Sequence, residues 1–492
     1  IQEHQKGGLR MQTSNPSEKD NMTNNSAFFT STDLKYQVSS FPGDKLRDYP
    51  EYLRALLQVR LASAKANGAL GYLTPEKASK IEQGCQILLA DPNALTALDQ
   101  TMIRFVGKPA QRAVDSVIRE LTGGAVSGKE IALNQFTADV TTTAEGIAVR
   151  KVLLKLSDHV RDLSEAIGQK AKEFAGIVKC GRLGLKDSLP MRLEDEFAAY
   201  QSLLQHSADE LAEEAKGWNV CLLGSGDVGN GLGVLPGFAA RAKADLEEQV
   251  GYPLASVEPL TSLLNNKYRF IVAHAKVQAA ADIIWKIARD LTILSSGPRA
   301  GIREMVLPAV APGSSIMPGK INPTVAELIM HLCDKVFSNA AGLNIGVHSG
   351  WLGSDSHSSL PLKCMLDSCT LLSDGCEVFK RKVISGLTAN KERSAEHARM
   401  SLALQMPLAQ IVGEDKAREV ARYAYDNDLT LEDAYTKLAG NPAPDSLEAM
   451  LFNVEVISGK EGASEFMKRL SLWVRAARFA SSSIAARPMR SG

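Results

Sequence analysis

Val149, Leu156, Val160, Leu163, Ile167, Ala171 and Phe174 recur at spacings of three, four or seven residues. On a helix that spacing lines them up along one side, and so long an apolar stripe has to be covered by other elements. Shorter stripes repeat the pattern at Tyr200, Leu204, Ala208 and Leu211, and at Val325, Ile329, Leu332 and Val336. The stretch from Lys267 to Leu294 is a further long helical pattern, rich in Ala and Ile. Several stripes of this kind constrain the chain to pack helix on helix, as a bundle does. Nearer the N-terminus, Tyr52–Leu61 is helical in pattern, and Thr74-Pro75-Glu76 opens another helix, with threonine as N-cap and proline at the first helical position. Alternating β-branched runs are few. The predicted fold is mostly α.

Composition excludes more than it selects. With 492 residues, 45% hydrophobic and 23% charged, the chain is long enough for two or three ordinary globular domains. Its formal net charge of zero gives no reason to expect nucleic acid or a membrane surface as partner. No apolar run reaches membrane-spanning length, and the N-terminus lacks an apolar signal core. The seven cysteines are odd in number and irregularly spaced, which argues against a disulfide framework and a zinc site and predicts reduced thiols in a cytoplasmic protein. Residues 1–28 are polar and read as a disordered tail, with Ile1–Gly8 as extraneous sequence ahead of a native start at Met11 or Met22.

The stretch with the most chemistry is Gly313-Ser-Ser-Ile-Met-Pro-Gly-Lys-Ile-Asn-Pro323. Its glycines and prolines break regular structure and leave Ser314, Ser315, Lys320 and Asn322 on a loop between long helices. A serine alkoxide there could remove a proton, and a nearby lysine could hold a carboxylate and stabilise the charge that develops beside it. A plain solvated loop is the alternative, against which Met317 stands out. Elsewhere, Gly224-Ser-Gly-Asp-Val-Gly229 fits G-x-G-x-x-G, but no strand–helix–strand pattern surrounds it, so a dinucleotide site is set aside. His159 reads as a structural histidine, and the loop 346–359, with His348 and His357, as a solvated connection or a route for one of those imidazoles to an active site.

The loop resembles the signature G-S-S-x-M-P-x-K-x-N-P of the fumarase/aspartase superfamily at every fixed position. The likeness continues upstream through Lys286–Asp290, Ser296-Gly-Pro-Arg299, Gly301, Glu304 and Leu307-Pro308, and downstream to Glu327. Two further segments resemble the family with departures. Gln135-Phe-Thr-Ala-Asp139 keeps Gln135, a hydroxyl at Thr137 and Asp139, but has Phe136 and Ala138 where the family carries polar groups that hold a substrate carboxylate. By its pattern alone this segment is a helix start, capped by Thr137 or Asp139, and such a start favours anions. Gly181-Arg-Leu-Gly-Leu-Lys-Asp-Ser-Leu-Pro190 keeps Arg182 and Asp187, but has Leu183-Gly184 in place of a Thr-His pair that touches substrate in fumarase-like members.

The resemblance implies a three-domain fold with a central bundle of long helices, divided here at 29–143, 144–389 and 390–492, the last ending in a frayed tail from Ala476. It implies a homotetramer whose active sites draw three segments from different subunits. The implied reaction is β-elimination from a succinyl-type carboxylate, with no metal or organic cofactor. Ser314 is the expected base. Ser315, Lys320, Asn322, Thr137, Asp139 and Arg182 are the expected substrate contacts. Because Gly184 offers no imidazole to activate water, the expected bond cleaved is carbon–nitrogen, with a fumarate hydratase-like reaction or a non-catalytic scaffold as alternatives. The replacements at Phe136, Ala138, Leu183 and Gly184 predict a substrate larger than aspartate or malate.

Overall fold

The computed structural model describes residues 50–90, 110–257, 261–264, 266–310, 316–317, 319–348, 352 and 359–485. In chain order the helices begin with α1 (Pro50–Ala69), α2 (Pro75–Ala90), α3 (Ala110–Leu121), α4 (Gly128–Ile131) and α5 (Thr137–Glu173). Strands β1 (Val178–Leu183) and β2 (Lys186–Arg192) follow, then α6 (Leu193–Lys216), α7 (Phe238–Val250), α8 (Thr261–Leu264) and α9 (Tyr268–Leu294). Strand β3 (Met305–Val306), α10 (Thr324–Val347), α11 (Ser359–Lys382) and β4 (Thr388–Ala389) come next. The chain closes with α12 (Lys391–Met400), α13 (Gln405–Val412), α14 (Glu414–Asp426), α15 (Leu431–Ala439), α16 (Leu447–Phe452), α17 (Val454–Ile457) and α18 (Lys460–Ala485). The expected mostly α architecture is what the chain adopts. The tail expected from Ala476 is a correction: α18 runs on to Ala485, because its Ala- and Ser-containing end holds no glycine or proline to stop it.

The described residues form two compact units. The first draws on Ile1–Leu153, Glu214–His274 and Asn339–Asp367. In it α1 packs against α2 and α7. Pro75 starts α2, and Thr74 caps it by accepting the Lys77 amide at 3.4 Å. The first turns of α5 are tied down on two sides. Thr143 Oγ1 accepts the Leu222 amide at 2.9 Å, and the buried Lys267 ammonium donates to Glu145 at 2.7 Å and to Thr142 at 3.1 Å. The G-x-G-x-x-G stretch lies in turns and bends after α6, and among the described residues an isolated bridge between Val220 and Ala255 is the nearby pairing, with no strand–helix–strand unit around the stretch.

The second unit draws on Leu154–Glu213, Ala275–Ser338 and Ser368–Gly492. Here Leu156, Val160, Leu163 and Ile167 are all at 0% exposure, so the seam is covered within the chain itself. Hydroxyls on the same helix bind the next one: Ser157 donates to the Ala208 carbonyl at 2.7 Å and Ser164 to that of Gln201 at 2.9 Å. Phe174 meets Phe197 edge-on with ring centroids 4.9 Å apart. His159 Nδ1 lies 2.8 Å from the Ser373 carbonyl, the structural role expected of it. The C-terminal helices surround a core of their own, with Leu408, Val420, Leu451, Phe466 and Leu470 inside. All seven cysteines are free and buried, and among the described residues no cluster of side chains suits a metal and no helix is long and apolar enough to cross a membrane.

Candidate active site

The first unit carries the segment Asn134–Asp139. Helix α5 opens at Thr137, one residue earlier than a capping threonine would allow, so Phe136 precedes the helix. Asp139 then sits in the first turn and reaches back, its Oδ1 accepting the Phe136 amide at 3.0 Å. This is the acidic half of a capping box without a hydroxyl partner. Asp139 is fully enclosed, and burial pushes its carboxyl up to about 7, with the Phe136 amide pulling the other way. Thr137 is exposed at the positive end of the helix. Gln135 is held by Arg60, whose Nη1 donates to Gln135 Oε1 at 2.6 Å while Nε and Nη2 fork onto Asp115 at 2.7 and 3.1 Å. Arg60 and Asp115 are both almost completely buried. The Phe136 ring lies over Gly233, where a Cβ would stand 2.9 Å from the ring edge.

The second unit carries Arg182, Lys320 and Asn322. Strands β1 and β2 pair antiparallel, with Leu183 opposite Lys186 and an irregularity between Cys180 and Arg182. Between them, Gly184 (φ 56°) and Leu185 (φ 64°) both take left-handed backbone, which is the two-residue turn that suits a twisted hairpin. Glycine meets that requirement without strain. Among the described residues nothing lies within 4 Å of where a Cβ at Gly184 would be, and Leu183 and Leu185 are 75% and 63% exposed.

Arg182 is committed inside the unit. Its Nη1 and Nη2 fork onto Glu304 at 2.9 and 2.6 Å, and Nη1 also donates to the Cys180 carbonyl at 3.3 Å. His397 Nδ1 lies 2.8 Å from the same Glu304 carboxylate. Lys320 and Asn322 are exposed just ahead of α10, which starts at Thr324 and carries Glu327 in its first turn. Ser314 and Ser315 lie outside the described residues, as does His357. His348 is exposed at the end of α10. No hydrogen bond among the described residues joins Arg182 to Lys320 or Asn322.

Glu304, His397, Arg60 and Asp115 were given no role by sequence reasoning. Arg182 and Glu304 are separated by 122 residues, Glu304 and His397 by 93, and Arg60 and Asp115 by 55, so no local spacing pairs them.

The fold and the signature loop define a lyase, and comparison with known proteins agrees. The lyase family model matches residues 39–338. Fumarate hydratase class II of Nitrosomonas europaea is 33% identical over 403 residues, 78% of this chain and 86% of that protein. The enzyme of the same name from Chromobacterium violaceum is 34% identical over 405 residues, again 78% and 86%. Among solved structures, fumarate lyase:delta crystallin from Brucella melitensis in native form superposes with a TM-score of 0.72 at 28% identity, over 79% of this chain and 91% of that one. Recombinant class II fumarase from Schistosoma mansoni gives a TM-score of 0.74 at 22% identity, over 86% and 94%, and supports the fold. The chain belongs to the fumarase/aspartase superfamily of lyases.

Proposed function

We propose that this lyase interconverts a fumarate-type alkene and a β-substituted succinyl-type carboxylate, with the carbon–oxygen bond of a hydratase as the bond made and broken. The observation that carries this reading is the exposed Lys320/Asn322 pair directly before the N-terminus of α10, in a loop whose sequence matches the family signature throughout. A lysine beside a helix N-terminus is a ready site for a carboxylate. The names of the relatives, fumarate hydratase class II, favour carbon–oxygen over the carbon–nitrogen chemistry expected from Gly184.

In this scheme Ser314 removes the proton next to the carboxylate. Lys320 and Asn322 hold the oxygens that gain charge, assisted by Ser315 and the loop amides, and the β-substituent leaves. Exposed Thr137 of another subunit offers a hydroxyl to the second carboxylate. Enclosed Asp139 and ion-paired Arg182 support their segments from behind. Gly184 favours a second reading, an amine lyase: the hairpin turn brings no imidazole, and a protonated amine needs less help to leave than hydroxide. Ultraviolet detection of the double bond separates the two across malate, aspartate and N-substituted aspartates. Turnover of malate is the expected result. Turnover of N-substituted aspartates alone would replace the hydratase with an amine lyase, and no turnover of any would remove both.

The assembly we propose is a homotetramer. The seam at Leu156–Phe174 is covered within one chain, and that at Val325–Val336 is covered at Ile329 and Val336 and half-buried at Val325 and Leu332, so neither by itself calls for a partner. The support lies instead in apolar side chains left exposed on the long helices: Leu203 (47%), Val272 (47%), Leu328 (45%) and Ile345 (68%). Size exclusion with light scattering is expected to return four times the chain mass of 53.0 kDa. A stable monomer would end the tetramer and the shared site together.

A further inference from the structure

Glu304 is the meeting point of three chain segments. Its side chain is 2% exposed, Arg182 forks onto both its oxygens, and His397 reaches Oε1 at 2.8 Å. An ionised carboxylate only accepts hydrogen bonds, so His397 carries its proton on Nδ1 and donates. The 3.3 Å approach of Arg182 Nη2 to that nitrogen is then a contact between two donors, both drawn to the one carboxylate. The main chain repeats the attachment. The Asn390 amide donates to the Glu304 carbonyl at 2.8 Å, and β3 pairs with β4 through Met305 opposite Ala389 and Val306 opposite Thr388. Asn390 caps α12, the helix that carries His397. Glu304 is therefore gripped through its backbone by the start of α12 and through its side chain by a residue two turns along.

We propose that His397 is a positioning residue of the lyase, acting through Glu304 on two segments of the candidate site at once. One is the hairpin, through Arg182, two residues before Gly184. The other is the strand β3, from which the chain runs on to the signature loop. The Nδ1–H donor is the working part of His397. Without it, Glu304 and Arg182 keep their ion pair, and the Asn390 amide still holds the Glu304 backbone, but the side-chain attachment to α12 is lost. This inference rests on the lyase reading, because positioning has meaning only for a site that turns over.

The test compares His397→Leu with His397→Asn in the full-length chain. Asparagine can place an amide N–H near Nδ1, whereas leucine fills the space without a donor. Loss of register at a reacting centre acts on the chemical step. The expected result is a fall in kcat of roughly tenfold or more for His397→Leu with KM changed far less, and recovery of most of it in His397→Asn. Hydrogen exchange read by mass spectrometry on peptides covering 182–187 and 304–310 is expected to quicken in the leucine variant and not in the asparagine variant. Parent-like kcat in His397→Leu overturns the proposal, and so does an asparagine variant as impaired as leucine with parent-like exchange. If the parent turns over no dicarboxylate, the lyase reading fails and the positioning role goes with it. The exchange data then report separately whether the Nδ1 donor holds these segments.

Discussion

Ser314→Ala is expected to lose turnover by about 10²–10⁴-fold while the substrate still binds, because a general base acts on the proton in the transition state and contributes little to the ground state. Lys320→Ala is expected to behave differently. Lys320 stands exposed just ahead of α10, and in the proposed scheme its charge meets the carboxylate both before and during reaction. Its loss therefore raises KM as well as lowering kcat. Steady-state kinetics on the best substrate of the panel separate the two patterns. Turnover in Ser314→Ala equal to that of the parent would place the base on another residue.

Arg60→Met is expected to destabilise the chain by about 3–5 kcal/mol, the usual effect of removing one partner of a buried pair. Asp115 is 4% exposed and would be left charged without its guanidinium. Burial already pushes the Asp115 carboxyl up, and Arg60 is the main group that opposes this. The substitution also removes the donor to Gln135, two residues before the exposed Thr137. Activity is therefore expected to fall even at temperatures where the variant stays folded. Denaturant unfolding measures the first effect. The double variant Arg60→Met/Asp115→Leu is the control, since replacing both charges recovers much of the loss. A single variant within about 1 kcal/mol of the parent would mean that Asp115 is compensated without Arg60, by water or by Arg112, whose Nη1 lies 3.7 Å away.

The helices were legible because each announces itself locally. The seam of α5 has period and length, and Thr74-Pro75 marks where α2 begins. The signature loop was legible as a fixed string of residues. What stayed hidden were partnerships made by folding. Nothing near Glu304 in sequence points to Arg182 or His397, and nothing near Arg60 points to Asp115. The family pattern makes Asp139 a substrate contact, whereas its burial and its bond to the Phe136 amide depend on what packs over the start of α5. The turn at Gly184–Leu185 was half visible: glycine suits it, but leucine in a left-handed conformation sends no signal at all. The bond cleaved was the least legible feature. Missing groups argue for nitrogen, while the relatives that match 78% of the chain are fumarate hydratases by name.

Phe136 and Gly233 constrain each other sterically. With a Cβ at 233 standing 2.9 Å from the ring, and φ at 90°, any side chain added there collides with the phenylalanine and strains its own backbone. A smaller residue at 136 relieves the collision and leaves only the strain, which asparagine tolerates better than most. A lineage could thus exchange the pair for polar residues in one order only, shrinking 136 before enlarging 233. The reverse order passes through a misfit. Laboratory evolution toward polar residues at both positions would be expected to stall whenever it samples position 233 first.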